Sequence, residues 1–204
     1  MKNLEYTLEN ELHDQGYSMV CGVDEAGRGP LCGHVVAAAV ILPQGLFLDG
    51  LNDSKKLSEK KRELLFDQIC ESAVAYCIAE SSVEEINQTN ILEATLSAMR
   101  RAIQGLSISA DFALIDGNVA KGFSLPAKAV VHGDACSPSI AAASILAKVT
   151  RDRACLELDR QYPQYGIARH KGYGTKEHMA ALRLYGPAPI HRTKFIRFLQ
   201  DDAR

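Results

Sequence analysis

The chain has 204 residues, with 23 Lys and Arg against 25 Asp and Glu, a formal net charge of −2, 47% hydrophobic and 24% charged residues. That mix fits a globular chain with one sizeable core and excludes disordered, collagen-like and disulfide-scaffold classes. The longest apolar run, residues 35–42, is 8 residues long, against the ~20 a bilayer span needs, so no membrane association is expected.

In chain order, Leu4, Leu8 and Leu12 stand four apart and predict a helix over 4–12 that serves core packing alone. The opening MKNLEYTLENELHD is too polar for a secretory signal. In MVCGVDEAGRGPLCGHVVAAAVIL, apolar runs flank a Gly/Pro-rich interruption and predict two buried strands, the second ending at Pro43. Ser58 is a candidate N-cap for a helix carrying Leu64, Leu65 and Ile69 on one face. Residues 74–79 predict a strand. Ser82-Val83-Glu84-Glu85 fits a capping box, and 90–105 predicts a helix stopped by glycine. Short strands are expected at 112–115, closed by Asp116-Gly117-Asn118, and at 129–131, followed by His132-Gly133-Asp134. Ser137-Pro138 has the N-cap and N1 chemistry of a long helix running toward Gln161. A last clear helix is predicted over 175–185. Strands alternating with helices make the class α/β, divided into a core over 1–160 and a small, helical, basic C-terminal region over 161–204 packed on it as one unit.

Six cysteines, at 21, 32, 70, 77, 136 and 155, form no CxxC pair. They read as reduced thiols of a cytoplasmic protein, and zinc is not expected. The charge is unevenly spread: residues 146–204 carry 12 basic and 6 acidic groups, a net +6, which leaves −8 for the first 145. An acidic body with a basic C-terminal quarter suits a polyanionic partner if the acids are neutralised by metal or face away.

Asp24-Glu25, Asp116 and Asp134 each sit where an apolar strand gives way to glycine, and such strand ends line the ligand crevice of open α/β sheets. Any one of them could be an ordinary turn residue. Brought together, four carboxylates repel unless cations neutralise them, and hard oxygen donors select magnesium or manganese. Two such ions are machinery for in-line displacement at phosphorus. Adjacent side chains on a strand alternate faces, so Asp24 and Glu25 reach one ion only if the strand breaks there. Gly27 and Gly29 are expected to supply that break.

The sequence resembles the type 2 ribonuclease H family of bacteria, ribonuclease HII. The resemblance rests on Val23-Asp24-Glu25-Ala26-Gly27-Arg28-Gly29-Pro30, Asn52-Asp53-Ser54-Lys55-Lys56-Leu57-Ser58, Ile115-Asp116-Gly117-Asn118 and Gly133-Asp134. It continues through Ala142 to Asp152, His170-Lys171-Gly172-Tyr173-Gly174-Thr175 and His191-Arg192. It implies an RNase H-like fold, a five-stranded mixed sheet flanked by helices with a small helical C-terminal region. It also implies cleavage of the RNA strand of RNA–DNA hybrids and, in duplex DNA, on the 5′ side of a single embedded ribonucleotide, leaving 3′-hydroxyl and 5′-phosphate ends.

By the same resemblance Asp24, Glu25, Asp116 and Asp134 are the catalytic carboxylates holding two magnesium or manganese ions, with Asp24 bridging them. Gly27, Arg28 and Gly29 form the loop that detects the ribose 2′-hydroxyl. Tyr173 packs on the deoxyribose beyond the ribonucleotide. Lys55 and Lys56 precede a helix and suit phosphate contacts, as do Lys148, Arg151 and Arg153 on the long helix; solvated surface cations are the alternative. His132 is expected to be structural. The tail RTKFIRFLQDDAR shows no clear sliding-clamp motif, clamp docking stays possible, and a monomer is expected. The competing readings are a type 3 ribonuclease H, disfavoured because only about 20 residues precede the first motif, another nuclease of this superfamily acting on DNA alone, and a binding module without catalysis.

Overall fold

In a computed structural model, residues 4–201 are described. They form one five-stranded sheet with strand order β3-β2-β1-β4-β5. The strands are β1 (Val20–Ala26), β2 (Val35–Ile41), β3 (Ala75–Ser81), β4 (Phe112–Asp116) and β5 (Ala127–Val130). β1, β2 and β3 pair antiparallel, while β1–β4 and β4–β5 are parallel. The helices are α1 (Thr7–Asp14), α2 (Glu59–Ser72), α3 (Val83–Gln88), α4 (Ile91–Gln104), α5 (Pro138–Gln161), α6 (Ile167–His170), α7 (Lys176–Tyr185) and α8 (Phe198–Asp201).

Both faces of the sheet are covered, which explains why β2 reads VVAAAVI without alternation and is buried throughout. On one face Val36, Ala38 and Val40 pack with Leu65 and Ile69 of α2 and Ala142, Ile145 and Leu146 of α5. On the other, Cys21, Val23, Ala37 and Ala39 meet Leu96, Met99 and Ala102 of α4. Truncating a fully buried leucine such as Leu65 to alanine costs about 2–5 kcal/mol.

The helix starts follow local chemistry. Ser58 accepts from the Lys61 amide, and Ser82 and Glu85 close the capping box at α3. Asn90 caps α4 through Leu92 and Glu93, and Ser137 with Pro138 opens α5. α1 does more than pack. Its Glu9, 3% exposed, accepts from the Ser137 and Ser139 hydroxyls and the Ser139 amide, and so ties the first helix to the start of α5. Beyond residue 161, α6, α7 and the chain around Ile196 gather on Cys32, Cys155, Tyr165 and Leu182.

Candidate active site

The four acidic positions converge at one end of the sheet. β1 does not break at Asp24-Glu25, as the sequence led us to expect. It stays paired with β2 through Asp24–Ala38, Glu25–Ala37 and Ala26–Val36. The two carboxyls therefore leave on opposite faces: Asp24 toward Ser144 of α5, Glu25 into a recess lined by Arg28, Thr95, Met99, Asp116 and Asn118. The chain turns only at Gly27, whose φ of 101° suits glycine and whose missing side chain makes room for Arg151.

Asp116 joins the two halves. It lies one step past the Val23–Ile115 pair of the parallel β1–β4 ladder, and its charge is felt by Asp24, Glu25 and Asp134 alike. Its Oδ1 accepts from the Gly133 amide at 2.7 Å. A Cβ on Gly133 would lie 3.2 Å from that oxygen and 2.5 Å from Ile140, so glycine is what lets this turn approach. Asp134 follows directly, in the single 310 turn Gly133–Ala135 that leads into α5. His132 contributes a left-handed turn with φ of 55° while its ring is exposed.

Electrostatically this corner is short of positive charge. Asp24 is 3% exposed, and burial, then Glu25 and Asp116, push its carboxyl well above the usual range. Burial raises Glu25 too, against the opposing Arg28 guanidinium, whose Nη1 is 3.4 Å away. Asp134 is raised by burial, with Lys55 opposing and Asp53 and Asp116 adding to it. Lys55 Nζ stands 3.3 Å from Asp134 Oδ2. Burial alone would lower this ammonium, but Asp134, Asp24 and Asp53 outweigh it and raise it. An ammonium already drawn to the cluster marks it as a place for cations. The donors are all carboxylate oxygens, which suits a hard divalent ion.

Half-buried Gly27 with exposed Arg28 and Gly29 forms the lip of this corner, and Tyr173, 49% exposed, stands across from Gly29: a Cβ there would lie 3.2 Å from the tyrosine ring. The long-helix cations behave differently from the phosphate-binding expectation. Lys148 pairs with Asp152 and Arg153 with Glu63. Arg151 is buried and donates inward to the Lys171 and Cys32 carbonyls. Lys56 lies 3.8 Å from Asp53.

Sequence reasoning missed the role of Arg192. It is fully buried, and its partners among the described residues are the carbonyls of Gly27, Arg28, Pro30, Gly33 and His34. Burial, with Arg151 nearby, pushes it down to about 10. Nothing in the local pattern IHRTKF separates it from a surface arginine. The cage that takes it is contributed by the loop after β1.

Comparison with known proteins gives a consistent picture. The family model described as Ribonuclease HII matches residues 21–198. A protein named Ribonuclease HII from Burkholderia thailandensis is 58% identical over 177 residues, 87% of this chain and 83% of its own. Among solved structures, ribonuclease H2 from Pyrococcus horikoshii superposes with a TM-score of 0.75 at 27% identity, covering 91% of this chain and 98% of that one. The ribonuclease HII in a complex with PCNA from Archaeoglobus fulgidus gives 0.70 at 25% identity over 87% and 95%. Bst-RNase HIII in complex with Mn2+ also gives 0.70. Its 16% identity, over 94% of this chain and 72% of that one, speaks for the fold alone.

Proposed function

The chain belongs to the ribonuclease HII family and is a ribonuclease H, an endonuclease acting on RNA–DNA hybrids; from that premise we propose that it also cuts 5′ of single ribonucleotides embedded in duplex DNA. The observation that carries this is the placement of the Gly27-Arg28-Gly29 lip and Tyr173 beside the four carboxylates. A loop of little bulk admits a sugar edge, where the 2′-hydroxyl distinguishes RNA from DNA, and an exposed tyrosine offers a face to the next sugar. Arg28 and Lys55 are positioned to meet backbone phosphates. We place the reaction in the cytoplasm and assign it to a monomer.

Asp24, Glu25, Asp116 and Asp134 are the residues that would hold magnesium or manganese, two ions in the substrate complex. When bound, such ions supply a polarised water and stabilise the leaving 3′-oxygen. The protein's own part is to hold four carboxyls together against repulsion, to fix Asp116 through Gly133, and to keep one cation, Lys55, at hand. In the tail, Ile196 is buried and Phe198 and Leu199 pack on the C-terminal cluster, so clamp docking by residues 195–199 would first have to release them.

The test is incubation of the enzyme with three duplexes, one with a single ribonucleotide, one continuous hybrid and one all DNA, with magnesium or with EDTA. Cleavage of the first two only, metal-dependent and with 3′-hydroxyl and 5′-phosphate ends, is expected. Cleavage of the hybrid alone removes the embedded-ribonucleotide reading, and cleavage of plain DNA removes the role given to the Gly27-Arg28-Gly29 lip.

A further inference from the structure

Resting on the reading just given, we propose that His191 and Arg192 are positioning residues that set the gap between the two substrate-reading elements. Adjacent residues reach those two elements separately. Arg192 holds the Gly27-Arg28-Gly29 lip from behind: Nη2 donates to the Gly27 carbonyl at 2.7 Å, and Nη1 donates to Arg28 at 3.0 Å and Pro30 at 2.8 Å. With its carbonyls turned inward to one guanidinium, the loop cannot slide without leaving several buried acceptors unpaired.

His191 works on the opposite element through a second histidine. The Ala188 amide donates to His191 Nδ1 at 3.0 Å, and the Nε2 atoms of His191 and His178 are 3.1 Å apart. His178 Nδ1 lies 3.0 Å from the Tyr173 carbonyl. With Nδ1 of His191 accepting from the Ala188 amide, the shorter of its two contacts to that residue (the carbonyl is 3.2 Å away), His191 Nε2–H donates to His178 and His178 Nδ1–H donates to Tyr173. Both rings are 2% exposed or less, and His170 stacks on His178 at 4.5 Å. Two further bonds lock the halves, Arg192 N to the Leu31 carbonyl and Leu31 N to the Gly172 carbonyl, each 2.8 Å. The lip and Tyr173 are thus hung from one dipeptide.

The test is a double-mutant cycle on the single-ribonucleotide duplex. His191→Asn is expected to lower kcat about tenfold, the order of one lost hydrogen bond, with the continuous hybrid less affected. In a Tyr173→Ala background that loss should fall within about twofold, because a residue acting through Tyr173 has nothing left to position. Arg192→Lys, which keeps the charge and loses the fork, should lower kcat in both backgrounds, since its target is the lip. His178→Asn repeats the first arm from the other end of the relay if His191→Asn does not fold. The proposal is overturned if the histidine variants lose as much without Tyr173 as with it, or if Arg192→Lys cleaves at the wild-type rate. If the wild type cleaves no ribonucleotide-containing duplex, it is the functional reading that falls.

Discussion

At the end of the sheet four carboxylates gather, Asp24 and Asp134 buried and Glu25 and Asp116 half-buried, with Lys55 and Arg28 as the cations nearest them, whereas just behind the lip Arg192, His178 and His191 are fully buried and have a partner at every polar atom. In the first region Asp24, Glu25 and Asp134 are raised in pKa because burial and like charges act together. In the second, burial lowers His178, His191 and Arg192, with the neighbouring bases His170, His178 and Arg151 adding to it and backbone hydrogen bonds opposing it at the two histidines. A buried polar group left short of counter-charge is one that awaits a ligand. A buried polar group with all its bonds made fixes geometry. Removing a member should therefore cost chemistry in the first region and alignment in the second.

The sharpest way to break this contrast is Asp116→Asn. The amide keeps the shape and still accepts from Gly133 through its oxygen, so the fold should survive. The charge felt by the other three acids is lost, and with it several kcal/mol of transition-state stabilisation, on the order of 1,000-fold or more in cleavage rate. Near-wild-type turnover at saturating magnesium, with an unchanged circular dichroism spectrum, would remove Asp116 from the site.

Next in size is the pH dependence of the satisfied region. Burial pushes His191 down to about 4 from an ordinary 6.5. Between those values the unfolded chain takes up a proton that the native ring refuses, so stability falls as pH drops, by up to about 3 kcal/mol at pH 4. The raised carboxylates have the opposite sign: the native state keeps protons the unfolded chain has released, so their contribution grows as pH falls. Comparing wild type with His191→Asn in denaturant titrations isolates the histidine. The gap between them should narrow steadily from pH 7 to pH 4, and a constant gap would mean that the ring is not held neutral.

The two regions also differ in how far the sequence announces them. The capping box at Ser82, the Asn90 cap and the Ser137-Pro138 start are local chemistry, so the helix starts are legible. The four acids are legible because each ends an apolar run at a glycine. That Glu25 faces away from Asp24 is not, since pairing with Ala37 and Ala38 of β2 carries the strand past the expected break. The Arg192 cage is hidden for a deeper reason. Its acceptors are backbone carbonyls of residues 27–34, and backbone acceptors leave no trace in side-chain spacing. Glu9 is likewise masked inside a leucine stripe that reads as packing alone.

Metal sharpens the comparison further. Ions that bind only the native carboxylate corner stabilise it by about 2.7 kcal/mol at a hundredfold excess over Kd, so magnesium or manganese should raise the melting temperature. Asp134→Asn should melt above wild type in EDTA, where one repelling charge is gone, yet gain less from the ion. Sodium chloride at matched ionic strength must not reproduce the gain. Equal gains in both proteins would take Asp134 out of the ligand set.

The smallest expected effect belongs to Lys55, and its sign under two conditions carries the information. The Lys55 side chain is 75% exposed and its ammonium lies 3.3 Å from Asp134, a pair that solvent screening holds to about 0–1 kcal/mol. In EDTA, Lys55→Ala should lower stability by less than about 1 kcal/mol, because Asp134 then keeps only repelling neighbours. With saturating magnesium the difference should vanish, since a divalent ion takes over the neutralising role. Differential scanning calorimetry on both proteins, with and without the ion, measures this directly. A loss that persists undiminished in magnesium would mean that Lys55 supports the loop after Asp53 rather than the charge balance of the carboxylates. Arg28, 3.4 Å from Glu25, would then be the one cation among the described residues offsetting part of the carboxylate charge before metal arrives.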